Sequence, residues 1–138
     1  MPWTIDDKFR VPGNEAIVAF VERHPTLSAH SDVAELLTRS AEGLRGVGTY
    51  CPDLHAYAYV ALYTMERRIF AVAYGMSALV YRLPKGSVPS ALAEGAAVCH
   101  EIGEAWVDFG GVGFGGRVDL RRWCAVAYEG ALAAEKRI

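Results

Sequence analysis

Between Ala56 and Tyr81 the chain carries three aromatic and β-branched runs: Tyr57, Tyr59, Val60, Leu62 and Tyr63, then Ile69, Phe70, Val72 and Tyr74, then Leu79, Val80 and Tyr81. Side chains of this kind suit a pleated surface, and the short breaks between the runs suit hairpin turns. The stretch predicts a three-stranded antiparallel meander. With turns near Glu66-Arg67 and Gly75-Met76, cross-strand pairing puts Tyr59, Tyr63, Phe70, Val72, Tyr74, Leu79 and Tyr81 on one face, and Val60, Leu62, Ile69, Ala71 and Val80 on the other. Neither face is built for water. A sheet apolar on both sides has to be covered on both, by helices or by a second chain.

The rest of the chain supplies helices. Ile17, Phe20 and Val21 stand at helical spacing between Glu15 and Arg23, ahead of Pro25. Ser31 is the expected N-cap of a second helix that carries Val33, Leu36, Leu37 and Leu44 on one face and exits at Gly46. Beyond Pro84 and Pro89, an alanine-rich stretch from Val88 to Ala97 predicts a short helix, and Glu104 to Phe109 a further strand. Asp119 should cap a last helix with Leu120, Trp123, Cys124, Ala127, Ala131 and Leu132 facing the sheet. The predicted fold is α+β: an antiparallel meander sheet with N-terminal helices and a C-terminal helix packed on it, as one domain over 1–138. At 138 residues and 52% hydrophobic, the chain can bury a core without metals or cross-links.

Charge and cysteine content narrow the function. A formal net charge of -2 gives no general attraction to phosphate backbones or anionic lipid, which disfavours nucleic acid as a partner. No apolar run approaches the roughly 20 residues needed to span a bilayer. Met1 to Arg10 lacks the basic start and apolar middle of a secretory leader, so a cytoplasmic location is expected. Cys51, Cys99 and Cys124 are widely spaced and without a CxxC pairing, which speaks against both a disulfide framework and a zinc knuckle.

The order of motifs carries a family resemblance. Arg68-Ile-Phe-Ala-Val-Ala-Tyr74 is followed by Ala78-Leu-Val-Tyr-Arg-Leu-Pro84, then by Glu104-Ala-Trp-Val-Asp108 and a closing helix from Trp123 to Leu132. This half of the chain resembles the MmcQ/YjbR and TfoX N-terminal-domain group, with Phe70-Ala71, Leu83-Pro84 and Trp106-Val107 in the places of the group's structural motifs. Arg68-Ile69 stands where a lysine commonly precedes the Phe. The resemblance implies a compact α+β fold of a kind often described as DNA-binding-like, with no catalytic residues to carry over.

Four candidate sites follow from the residues. Gly111-Val-Gly-Phe-Gly-Gly116 is a formal GxGxxG between a predicted strand and a helix, but the second parallel strand of a dinucleotide-binding unit does not follow it. Arg67 and Arg68 at the first hairpin should lie near Arg82 and Lys85, because the third strand returns to that end. Arg117, Arg121 and Arg122 add charge at the start of the last helix, and all seven are candidate phosphate contacts. Tyr59, Tyr63, Tyr74 and Tyr81 are candidates for a base-stacking platform, a homodimer interface or an apolar ligand pocket, core packing being the commonest use of such a face. Cys51 with His55 and Cys99 with His100 lack metal-ligand spacing, so no metal, cofactor or catalytic residue is expected. The leading expectation is a non-enzymatic binding module. The alternative is a small-molecule-binding protein or small enzyme using a pocket between the sheet and the Gly110 to Gly116 loop.

Overall fold

The computed structural model describes residues 5–136. Its sheet has six strands, all pairings antiparallel: β1 (Gly48–Tyr50), β2 (Val60–Tyr63), β3 (Ile69–Tyr74), β4 (Ala78–Arg82), β5 (Ala97–Val98) and β6 (Trp106–Asp108), in the order β1-β2-β3-β4-β6-β5. The helices are α1 (Glu15–Arg23), α2 (Ser31–Ser40), α3 (Val88–Ala93), α4 (Gly110–Gly113) and α5 (Leu120–Glu135). The expected meander is β2, β3 and β4; the outer strands β1 and β5 were not anticipated.

Turn length decides which side chains share a face. Pairing of Tyr74 with Ala78 leaves a three-residue turn, Gly75 to Ser77, where a two-residue turn was expected. That single residue slips the register, and because side chains alternate with period two, the whole of β4 turns over. A second irregularity lies between β2 and β3. Leu62 pairs with Ala71 but Tyr63 with Ile69, so Phe70 is an extra residue, bulged to the same side as Ala71. One face therefore carries Val60, Leu62, Phe70, Ala71, Ala73, Leu79 and Tyr81, and the other Tyr59, Ala61, Tyr63, Ile69, Val72, Tyr74 and Val80. The predicted seven-residue tyrosine face is corrected accordingly: Phe70, Leu79 and Tyr81 lie opposite Tyr59, Tyr63 and Tyr74, and Ile69 and Val80 have crossed the other way.

Both faces are covered from within the chain. α2 and α5 lie on the first, where Trp123, Cys124, Ala127 and Ala131 of α5 and Val33 and Leu37 of α2 join Phe109 and Tyr81. Tyr81 packs edge-on to Phe109 at 5.6 Å between ring centres and sends its hydroxyl to Ser40 Oγ at 2.7 Å, so the polar tip of a fully buried ring is satisfied. α1 lies on the second face with the N-terminal arm: Ile17, Val18, Phe20 and Val21 join Ile5, Phe9, Tyr59, Val72 and Trp106. Each fully buried side chain of this size contributes roughly 1.5–3 kcal/mol.

The helix boundaries follow local chemistry. α1 spans the expected residues. α2 begins at Ser31, but His30 is its cap, with Nδ1 accepting from the Asp32 N–H at 3.1 Å, and it ends at Ser40, six residues before Gly46. Ser40 Oγ turns back on the Leu37 carbonyl at 2.6 Å, and Leu44 packs from the turns beyond. α5 starts behind Asp119, whose Oδ1 accepts from the Arg122 N–H, as expected.

Candidate functional site

The chain's most unusual electrostatics lie where β3 begins and β4 ends. The β2–β3 hairpin closes through Thr64 N–H to the Arg68 carbonyl at 3.0 Å and Arg67 N–H to the Thr64 carbonyl at 2.9 Å. Arg67 sits in the left-handed region at φ 70°, a position in such three-residue loops that glycine usually occupies. The next residue, Arg68, is drawn inward until only 5% of it is exposed. Its Nη2 donates to the Pro12 carbonyl at 3.2 Å, while Arg82 Nη1 donates to the Gly13 carbonyl at 3.0 Å. Two guanidinium groups from neighbouring strands thus grip one turn ahead of α1.

That turn is shaped to receive them. Gly13 has φ 98°, a conformation that side-chain-bearing residues rarely adopt, and a Cβ there would fall 2.6 Å from Arg68 Cζ and displace the guanidinium. Asn14, fully buried, fastens the turn to the sheet. Its Nδ2 donates to the Phe9 and Arg67 carbonyls, both at 2.8 Å, and its Oδ1 accepts from the Ile69 N–H at 2.9 Å. No sequence signal marked Asn14, because two of its three partners are 53 and 55 residues away.

Among the described residues, neither Arg68 nor Arg82 forms an ion pair with a carboxylate. Arg68 Nε is buried and has no hydrogen-bond partner. Burial, and then the neighbouring Arg68 charge, hold the Arg82 guanidinium below its ordinary pKa, with Glu15 pulling the other way. Glu15 is held below the usual carboxylate range, first by its own N–H and that of Gly13, then by Arg82 and Arg68. With no carboxylate in contact and only Glu15 acting from further off, much of the cost of burying the Arg68 guanidinium remains, so the arrangement runs against stability.

Arg68 opens on a surface cavity of 630 Å³, with an apolar floor of Val11, Pro12 and Leu132 and with Glu66, Glu135 and Lys136 around it. The fully buried Thr64 fixes Glu135 by donating its Oγ1 to the carboxylate, and Oγ1 in turn accepts from the Arg68 N–H at 3.2 Å. A second cavity, of 460 Å³, adjoins Arg82 and Lys85 and is walled by the last turns of α5.

The other sequence candidates are placed elsewhere. Arg121 pairs with Glu42 at 2.7 Å, and Arg122 pairs with Glu94 at 3.1 Å while lying 4.8 Å from the Trp123 ring. These two, with Arg117, stand at the start of α5, the opposite end from Arg68, so the seven basic residues form no single patch. Tyr59 and Tyr81 are core residues at 1% and 0% exposure. Tyr63 packs on Phe9 at 4.9 Å, and the Tyr74 hydroxyl meets Cys99 Sγ at 3.4 Å, so the half-buried pair also looks into the α1 side. Burial pushes the Tyr59, Tyr74 and Tyr81 hydroxyls up, away from ionisation.

The glycine-rich segment turns its amides on itself. Gly110 N–H goes to Asp108 Oδ1 at 2.7 Å, Val112 and Gly113 N–H go to the Phe109 carbonyl, and a Cβ on Gly110 would stand 2.1 Å from the Ser77 carbonyl oxygen. No ring of free N–H groups is left at 110, 112 or 113 for a pyrophosphate. The Cys/His pairs do not converge: Cys51 Sγ faces the Ala58 carbonyl, Cys99 faces Tyr74, and His100 meets Glu104. Burial pushes the Cys124 thiol up to about 11. Among the described residues no group of three His, Cys, Asp or Glu is placed to hold a metal ion, and no helix is long and apolar enough to cross a membrane.

No family model matches the chain, and no curated protein or solved structure matches it either.

Proposed function

We propose that the chain is a non-enzymatic binding module whose working site is the Arg68–Arg82 end of the sheet, where it receives the anionic group of a ligand. The observation that carries this reading is a nearly buried guanidinium beside a second one, neither paired with a carboxylate, at the wall of a 630 Å³ cavity. An arriving carboxylate or phosphate supplies the missing counter-charge and can accept two parallel N–H bonds from arginine. The groups around the cavity are suited to binding and orientation; neither thiol nor imidazole stands among its lining residues. The resemblance to the MmcQ/YjbR and TfoX N-terminal-domain group supports a module of the same kind.

A small anion suits the site better than a nucleic-acid backbone. At this end a phosphodiester chain would meet Arg67, Arg82 and Lys85 together with Glu66 and Glu135, in a protein of net charge -2. The test is thermal unfolding with inorganic phosphate and citrate, since a ligand that binds only the folded chain raises its melting temperature. Both anions should stabilise the wild type and leave Arg82→Gln nearly unmoved, while labelled duplex and single-stranded DNA show unchanged anisotropy at low salt. Equal stabilisation of both proteins would place anion binding elsewhere and overturn the assignment.

A further inference from the structure

The cavity beside Arg68 holds more than a cation. Glu66 and Glu135 line it too, and among the described residues neither is in an ion pair. Glu135 is not a drifting surface acid: Thr64 Oγ1 holds it, and the same oxygen accepts from the backbone N–H of Arg68, so one buried hydroxyl ties the carboxylate to the start of β3. With Lys136 the lining carries two cations and two carboxylates around the aliphatic surface of Val11, Pro12 and Leu132.

A plain anion entering this space would satisfy Arg68 at the cost of repulsion from two carboxylates. A plain cation would meet the opposite conflict. We infer that the ligand is a small zwitterion, with a carboxylate that meets Arg68, an ammonium group that meets Glu135 and Glu66, and a short aliphatic body on the Val11, Pro12 and Leu132 floor. This rests on the anion-binding reading above and adds the second charge. Opposite charges placed at two ends of one ligand also fix its orientation, and each wrong combination brings a like-charge contact.

Three probes of matched length separate the terms: 5-aminopentanoate, pentanoate and pentylammonium, titrated into the 15N-labelled chain while the amide signals of Thr64, Arg68 and Glu135 are followed. The zwitterion should bind about tenfold tighter than pentanoate, the effect of one well-placed charge contact of about 1.4 kcal/mol. Glu135→Gln keeps an oxygen for Thr64 and removes the charge, so it should lower that ratio, and combined with Glu66→Gln it should bring the ratio close to one. Glu66→Gln, on the hairpin, gives a second reading that does not touch α5. Equal affinity for pentanoate and 5-aminopentanoate in the wild type overturns the zwitterion and leaves the anion site standing. Absence of shifts at Thr64 and Arg68 with all three probes, or tightest binding of pentylammonium, overturns both.

Discussion

The two ends of α5 hold arginines in opposite circumstances. At its start, Arg121 and Arg122 reach into solvent and meet Glu42 and Glu94, and Arg122 also covers Trp123. At its other end, roughly 24 Å away for 16 residues of helix, Arg68 and Arg82 are pulled beneath a backbone turn with carbonyl partners and no carboxylate. The first pair is ordinary surface electrostatics, neutralised locally and worth little. The second is sustained against its own desolvation and mutual repulsion by structure built around it: the left-handed Arg67, the bare backbone of Gly13 and the threefold grip of Asn14. Buried charge that the fold leaves without a carboxylate in contact points to a binding site in a way that charge density alone does not.

The largest effect that tests this contrast should come from Asn14→Ala. It strips partners from two carbonyls and one N–H at the buried end, and should cost roughly 3 kcal/mol of unfolding free energy in urea. A loss comparable to that of a surface substitution would mean that the turn holds without it. Next comes Arg68→Met, which replaces a buried charge that has no carboxylate in contact by an apolar chain. The substitution should raise stability by roughly 1 kcal/mol and abolish stabilisation by phosphate. A clear loss of stability instead would make Arg68 a structural clamp.

At the other end, Arg122→Ala removes an exposed ion pair and the cover of Trp123, and should cost less than about 1 kcal/mol, partly erased by salt. The smallest effect concerns acid. Glu15 is depressed in the folded chain, so its contribution is present above the ordinary carboxylate pKa and fades as pH falls through the lower folded value. Glu15→Gln should therefore lower the melting temperature slightly at neutral pH and flatten the acid limb of the profile, the two proteins converging as pH falls. An identical acid limb would show that Glu15 does not sense the arginine pair.

Much of this architecture can be read from local pattern, and the failures have local causes. α1 and α5 stand out because their apolar spacing and the Asp119 cap operate within a few residues. β1 and β5, of three and two residues, are too short to carry any period. The division of the faces depended on one residue in the Gly75 turn and one bulge at Phe70, and neither leaves a compositional mark. The nearness of Arg68 to Arg82 follows from antiparallel geometry alone. That Arg68 is buried does not, since arginine ordinarily stays wet, and here a turn more than 50 residues away lies over it.

The brevity of the two outer strands has a consequence for how copies of this chain meet. A foreign strand can extend a sheet only by continuing its ladder of amides and carbonyls, and this one ends in rungs of three residues, Gly48–Tyr50, on one side and two, Ala97–Val98, on the other. Such short margins give an incoming strand little purchase, so the apolar β2–β4 centre is shielded from edge-to-edge growth into fibrils. Lengthening either margin by substitution in its flanking loop would expose the chain to that fate.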